Sequence, residues 1–129
     1  MTVGLVLVSH SATLAAGVAE LVGQLADTVA VIPAGGTREG GLGTSAELIA
    51  AAVTSADQGS GVIVLADLGS AVLSTKLLLE ELADDGPDVR LADAPFVEGA
   101  VAAGVTASTG ADIAEVLAAA EDAWSYRKS

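Results

Sequence analysis

Cysteine is absent from this 129-residue chain, and histidine occurs once, at position 10. Without cysteine the chain can form no disulfide framework, thiolate nucleophile or cysteine zinc site, and a single histidine cannot form a His-pair metal site. Aromatic side chains are nearly as scarce, with one Phe, one Trp and one Tyr. The core must therefore be built from aliphatic side chains close to the backbone, which favours helices packed tightly on a sheet.

Positive charge is scarce as well. Five Lys and Arg side chains stand against 17 Asp and Glu, which gives a net charge of −12. Phosphate backbones and anionic lipid surfaces repel such a chain, so we expect no nucleic-acid partner. The first residues show no basic leader and their apolar run is too short to cross a bilayer, so we expect a cytoplasmic protein without membrane insertion. The length fits one domain, residues 1–129, with a polar end at 125–129 that is expected to fray.

Short apolar runs alternate with helical patterns along the chain. Runs at residues 3–8, 29–32 and 62–66, and a weaker one at 89–92, lack polar alternation, as is typical of strands covered on both faces of a parallel sheet. A strand followed by a helix, repeated in this way, predicts βαβ units. We therefore predict an α/β fold with an open, doubly wound, mainly parallel four-stranded sheet, of strand order 2-1-3-4, and helices on both faces.

Five helices are predicted between and after these strands. The first three carry apolar residues at the spacing of one helix face: Leu14, Val18, Leu21, Val22 and Leu25 in the first, Ile49, Ala52, Val53 and Ala56 in the second, and Leu73, Leu77, Leu78 and Leu82 in the third. Thr44 suits a capping box before the second helix, and Ser70 suits the N-cap of the third. The fourth helix is predicted over residues 96–108, and the fifth begins at Asp112 with an apolar stripe that ends at Trp124.

Two ionisable side chains follow neighbouring strands of this sheet. His10 comes directly after the first strand and Asp67 directly after the third. In a doubly wound sheet, ligands bind beyond the carboxyl ends of the strands where the strand order reverses, which here is between the first and third strands. Each residue also precedes a helix N-terminus, where free N–H groups favour a bound anion. Asp67 suits the N-cap of the third helix too, and the two roles are compatible.

An imidazole and a carboxylate placed in this way can transfer a phosphoryl group. A neutral imidazole is a nucleophile through whichever nitrogen keeps its lone pair, and a carboxylate on the other nitrogen fixes the tautomer and stabilises the positive charge that develops. We predict His10 as the nucleophile and Asp67 as its orienting partner, with no metal and no bound cofactor. The candidates for binding phosphate or a partner are nearby hydroxyls and backbone N–H groups, namely Ser9, Ser11, Gly36, Thr37, Gly69 and Ser70.

A long glycine-rich loop, residues 33–44, follows the second strand. Loops of this length in a compact domain are more often functional than simple connections. This one lacks the lysine of a nucleotide-binding P-loop, which argues against direct nucleotide binding. Arg38 is its one base, and it suits either a phosphate or a surface acid as partner.

Four segments of the sequence carry a resemblance to a known family. The stretches "GLVLVSHSATLAAGVAEL", "AGGTREGGLGTSAELI", "VLADLGSAVLST" and "APFVEGAVAA" together closely resemble the DhaM family, the phosphocarrier subunits of phosphoenolpyruvate-dependent dihydroxyacetone kinases. That family is similar in fold to the mannose-type IIA (EIIA) domain of the phosphotransferase system. "VSHS" alone is a weak signal, whereas its combination with "DLGSA" and "APFVEGA" is specific.

The resemblance implies a role for the chain. His10 would be phosphorylated by the phosphohistidine of HPr and would pass the group to ADP held on DhaL, so that the resulting ATP phosphorylates dihydroxyacetone bound covalently to DhaK. Asp67 would be the partner of the histidine. The resemblance also implies a cytoplasmic homodimer, and because this chain carries neither a fused HPr-like nor a fused enzyme I-like domain, we expect it to depend on a separate HPr.

Two other functions remain open from the sequence. A sugar-transport IIA component of the mannose class would share the histidine and the fold but pass phosphate to a IIB partner. A receiver-like module phosphorylated at Asp67 belongs to a different class. It requires an acidic pair for Mg²⁺ after the first strand, and Ser9, His10 and Ser11 stand there instead, which disfavours it.

Overall fold

The predicted parallel sheet is present in the computed structural model, which describes residues 1–82 and 84–129. The elements in chain order are β1 (Gly4–Ser9), α1 (Ala12–Leu25), β2 (Val31–Gly35), α2 (Ala46–Ala56), β3 (Val62–Ala66), α3 (Gly69–Glu81), β4 (Val89–Leu91), α4 (Phe96–Ser108), α5 (Ile113–Asp122) and a 3₁₀ turn (Ala123–Ser125). All strand pairs are parallel, and the order is β2-β1-β3-β4. The doubly wound fold is therefore confirmed. None of the helices in the described ranges is long and apolar enough to span a bilayer.

Two apolar layers sandwich the sheet, because successive side chains of a strand face opposite sides. Leu5, Leu7, Ile63 and Leu65 pack in the layer formed with α1, α4 and α5. The alternate residues of β1 and β3 pack in the layer formed with α2 and α3. Every residue of both central strands is buried, which explains why their sequences show no polar alternation.

The strand predictions were accurate at the centre of the sheet and less so at its edge. β3 has the predicted bounds, β1 lies one residue later than predicted, and β4 ends one residue earlier, at Leu91. The second strand was predicted at 29–32 but runs over Val31–Gly35, so it includes Pro33. Proline has no N–H to donate, and it is tolerated here because β2 is an edge strand with a neighbour on one side only.

The buried faces of two helices differ from the prediction. In α1 the buried residues are Ala15, Val18 and Val22, whereas Leu14, Leu21 and Leu25 are exposed. In α3, likewise, Ala71, Thr75 and Leu78 are buried while Leu73 and Leu77 are exposed. Small residues let a helix approach the sheet closely, so the large side chains that dominate a periodicity argument lie at the edges of the contact. The buried stripe of α2 and the bounds of α4 are as predicted.

Three of the predicted helix caps were wrong. The cap of α2 is Ser45, whose hydroxyl accepts from the N–H of Leu48 at 3.3 Å, and not Thr44. The N-cap of α3 is Leu68, and neither Asp67 nor Ser70, because the first residue of the helix is Gly69. The fifth helix was predicted to begin at Asp112, which is instead its N-cap, since the carboxylate accepts from the N–H of Glu115 at 2.9 Å.

Gly4 lies where β1 touches the end of α2, and we expect its replacement by alanine to destabilise the fold. A Cβ at this position would stand 2.1 Å from the carbonyl oxygen of Ala56. Backbone must therefore move, and overpacking of this kind costs about 1–3 kcal/mol. The measurement is the free energy of unfolding in urea.

Gly17 in α1 is the matched control, because a Cβ there would meet no described atom within 4 Å. Gly17→Ala removes a glycine from a helix interior and should stabilise the fold by about 0.5–1 kcal/mol. A Gly4→Ala variant that unfolds at the same urea concentration as the unmodified chain would contradict the close contact of β1 with α2.

Candidate functional site

His10 and Asp67 meet at the carboxyl edge of the sheet. They follow β1 and β3, which pair in parallel so that Val8 lies opposite Ala66. The Nδ1 atom of His10 lies 2.9 Å from Oδ1 of Asp67. The side chains are 24% and 10% exposed, respectively. The imidazole is therefore held by the carboxylate and still open to solvent along part of its edge.

The carboxylate of Asp67 accepts four hydrogen bonds. Oδ1 accepts from His10 Nδ1 and from the N–H of Leu68 at 2.7 Å, and Oδ2 accepts from the hydroxyl of Ser9 at 2.8 Å and the N–H of His10 at 3.2 Å. Burial by itself would raise the pKa of Asp67, but the donors from Ser9, His10 and Leu68 outweigh it and hold the pKa below its usual value. Asp67 is therefore ionised at neutral pH and can only accept hydrogen bonds.

The ionised carboxylate fixes the tautomer of the neutral histidine. Because Asp67 can only accept, Nδ1 of His10 must carry the proton that lies between them. The lone pair of the neutral ring is then on Nε2, which the hydroxyl of Ser70 contacts. That hydroxyl donates to Nε2, so the nitrogen on the open side of the ring is the nucleophilic one.

Two helices begin beside this ring, and they differ in how their first N–H groups are used. Ser11 caps α1, because its hydroxyl accepts from the N–H of Leu14 at 3.1 Å. The start of α3 has no side-chain cap among the described residues. The N–H groups of Gly69 and Ser70, the first two residues of α3, are therefore suited to bind the oxygens of a phosphoryl group on Nε2.

The glycine-rich loop after β2 folds back onto the site. The N–H of Gly36 donates to the carbonyl of Ser9 at 3.0 Å, and that of Gly43 donates to the carbonyl of His10 at 2.9 Å. Gly36 has a φ of 75°, and a Cβ there would stand 2.9 Å from the carbonyl oxygen of Gly41. The sequence did not predict the hydrogen bond from Gly43, because nothing in a run of glycines indicates which one bonds the backbone of the histidine.

Two of the predicted polar groups lie elsewhere than expected. Ser9 is fully buried, so its hydroxyl does not face a phosphoryl group on Nε2. The hydroxyl of Thr37 accepts from the N–H of Gly41 at 3.0 Å and so closes the loop on itself. Of the two partners predicted for Arg38, a phosphate or a surface acid, the structure shows the acid, since Arg38 forms an ion pair with Glu47 on the surface.

A surface depression of about 460 Å³ lies on the other side of Asp67, between α3 and the end of β4. Lys76 and Trp124 line it. The indole N–H of Trp124 donates to the carbonyl of Asp93 at 2.9 Å, so this tryptophan anchors the chain after α5 to the loop after β4. The described residues contain no cluster of three or more His, Cys, Asp or Glu side chains that could hold a metal ion.

Comparison with known proteins identifies the family of this chain. The family model described as "PTS system fructose IIA component" (EIIA-man) matches residues 4–117. The chain therefore belongs to the EIIA-man family of the phosphotransferase system. A crystal structure of a protein of unknown function supports the fold, with a TM-score of 0.86 and 36% identity over 95% of both chains. The crystal structure of the dihydroxyacetone kinase of C. freundii shares the fold alone, with a TM-score of 0.65 and 16% identity over 94% of this chain and 24% of that one.

Curated relatives indicate which members of this family the chain is similar to. A DhaM phosphoryl donor subunit of the PEP-dependent dihydroxyacetone kinase of Escherichia coli (strain K12) is 42% identical over 120 residues, which are 89% of this chain and 25% of that protein. The DhaM subunit of kinase 2 of Listeria innocua is 38% identical over 105 residues, 80% of this chain and 84% of that protein. The resemblance to the DhaM family is thus confirmed. The chain spans about a quarter of the length of the E. coli relative and most of the length of the Listeria one.

Proposed function

We propose that this chain is a phosphocarrier, a phosphotransferase subunit in which Nε2 of His10 accepts a phosphoryl group from a donor protein and passes it on. The observation that carries the proposal is the 2.9 Å contact between Nδ1 of His10 and the ionised Asp67. This contact leaves a lone pair on the open side of the ring. No other histidine exists in the chain to take this role.

The transfer step follows from the protonation of the ring. As Nε2 bonds to phosphorus, the bond from phosphorus to the nitrogen of the donor's phosphohistidine breaks, and its electron pair returns to the donor's ring. His10 keeps its proton on Nδ1 and so becomes positively charged, which the carboxylate of Asp67 stabilises. The hydroxyl of Ser70 and the N–H groups at the start of α3 are placed to stabilise the phosphoryl oxygens.

Exposed leucines adjoin the histidine and suit a protein partner. Leu42 is 83% exposed and precedes Gly43, Leu68 is 63% exposed and follows Asp67, and Leu73 is 58% exposed one turn after Ser70. Transfer between two proteins requires that both reacting groups be aligned and that water be excluded. A partner that covers these leucines would meet both requirements.

The DhaM relatives suggest which proteins these partners are. By analogy with subunits named as phosphoryl donors of dihydroxyacetone kinase, we propose phospho-HPr as the donor and ADP on DhaL as the acceptor, with the ATP used for dihydroxyacetone on DhaK. The exchange takes place in the cytoplasm and the chain acts as a homodimer. The phosphoryl group is carried covalently on His10, without a bound cofactor or metal.

The test is a reconstituted transfer from radiolabelled phosphoenolpyruvate. Enzyme I and HPr are added first, and we expect label on this chain. The labelled chain is then offered DhaL with ADP plus DhaK and dihydroxyacetone, or the IIB protein of a mannose-class transporter, and we expect label to pass only to dihydroxyacetone. Transfer to IIB alone would support the sugar-transport alternative. A chain that takes no label would overturn the proposal.

A further inference from the structure

Ser9 is one of two polar residues that are fully buried among the residues the structure describes, and the other is Thr75. A buried hydroxyl must be hydrogen-bonded, and Thr75 meets this need locally, since it donates to the carbonyl of Ala71 one turn earlier at 2.9 Å. The hydroxyl of Ser9 instead crosses from β1 to Oδ2 of Asp67 at 2.8 Å. A side chain 58 positions away is thus the partner of Ser9.

The direction of each bond at Ser9 is fixed. The N–H of Ser11 lies 3.0 Å from the Ser9 oxygen and can only donate, whereas the ionised carboxylate can only accept. The hydroxyl therefore accepts from Ser11 and donates to Asp67. This chain of hydrogen bonds joins the start of α1 to the carboxylate that holds the histidine.

We infer that Ser9 is a positioning residue for phosphoryl transfer: its buried hydroxyl holds Oδ2 of Asp67 so that Oδ1 faces Nδ1 of His10. The inference rests on the proposed function of His10. It assigns Ser9 a place beneath the ring and not a contact with the phosphoryl group, because the residue has no exposed surface.

The other donors to Asp67 do not replace Ser9. The N–H of Leu68 belongs to the next residue and bonds Oδ1, the oxygen that already faces the histidine. The N–H of His10 does reach Oδ2, but at 3.2 Å it makes the longest of the four bonds. Without the Ser9 hydroxyl, Oδ2 keeps that long bond alone and the N–H of Ser11 loses its acceptor. The orientation of the carboxylate is then less firmly fixed.

The charged groups around Asp67 are few, so its pKa depends on burial, which raises it, and on the hydrogen-bond donors, which lower it further than burial raises it. His10 faces it from β1, while Lys76 on α3 and Asp93 after β4 line the depression on its other side. In the described part of the chain, neither of the latter bonds the Asp67 carboxylate. Because a donated hydrogen bond favours the ionised form, removal of the Ser9 hydroxyl raises the pKa of Asp67.

The experiment compares Ser9→Ala and Ser9→Thr with Thr75→Val, which removes the other buried hydroxyl at constant shape. Carboxyl ¹³C NMR follows the titration of Asp67, ¹⁵N NMR reports the tautomer of neutral His10, and rapid quench measures phosphorylation by phospho-HPr. For Ser9→Ala we expect a higher midpoint for Asp67, a mixture of tautomers, and a kcat lowered by up to about 100-fold with little change in KM. Ser9→Thr should restore all three, and Thr75→Val should alter stability only.

Unchanged titration and tautomer in Ser9→Ala would overturn the positioning role, even if the variant were less stable. If Ser9→Ala does not fold, Ser9→Cys fills the space with a weak donor, and it should shift both NMR signals in the same direction by a smaller amount. The two NMR readings need no phosphoryl donor. A chain that takes no phosphate but shows these shifts would therefore refute the proposed function and not the placement of Asp67 by Ser9.

Discussion

We expect replacement of His10 by alanine to leave a folded chain that takes no phosphoryl group from phospho-HPr. The reason is that Nε2 of this ring is the nucleophile we propose, and covalent transfer has no substitute when the nucleophile is removed. The ring lies beyond the end of β1 and belongs to neither apolar layer of the core, so its loss leaves the core intact. The measurement is acid-labile, base-stable label on the protein after incubation with radiolabelled phosphoenolpyruvate, enzyme I and HPr.

His10→Asn serves as the control for shape, because its amide can still donate to Asp67 but carries no nucleophilic nitrogen. Both variants should melt within a few degrees of the unmodified chain, as expected when a change costs under about 1 kcal/mol. Acid-labile label that persists in either variant would show that another group accepts the phosphate.

Asp67→Asn has the second largest expected effect, a loss of about 10²- to 10⁴-fold in the rate of phosphorylation of His10. The amide has the shape of the carboxylate but not its charge, so it no longer stabilises the cation that forms on the ring. It also presents an NH₂ group in place of one carboxylate oxygen, and each of those oxygens now accepts two of the four hydrogen bonds. The tautomer with a free lone pair on Nε2 is then no longer enforced. Single-turnover phosphorylation by phospho-HPr measures the loss.

Asp93→Asn is the matched control, since it changes the net charge by the same amount beside the same depression. The Asp93 backbone, and not its carboxylate, makes the hydrogen bonds to Glu121 and Trp124. We therefore expect a rate close to that of the unmodified chain. An Asp67→Asn variant that is phosphorylated as fast as Asp93→Asn would remove Asp67 from the mechanism.

The parts of the fold that the sequence predicted best are those whose bounds it marks clearly. β3 and α4 have their predicted bounds because one is a continuous apolar run and the other begins after a proline and ends before a glycine. The pairing of His10 with Asp67 was predictable for a similar reason. Parallel neighbouring strands end at one edge, so residues that follow them directly must lie close together.

The rest depended on contacts that no local pattern encodes. Leu21 and Leu25 have the spacing of a buried stripe, yet α1 packs through Ala15 and Val22 because the smaller face allows a closer approach. The sequence places a hydroxyl at Ser9 next to the histidine but cannot show that it is buried and bonded to Asp67. Its orientation is determined by a carboxylate that arrives only when β3 pairs with β1.

The single open edge of His10 determines the order in which partner proteins can bind. With Nδ1 held against Asp67, the donor and the acceptor must approach the same nitrogen from the same direction, and two proteins cannot occupy that approach together. Each transfer therefore requires that the donor protein dissociate before the acceptor protein binds. Tight association with either one would slow the flow of phosphate, so short residence times serve this chain better than high affinity.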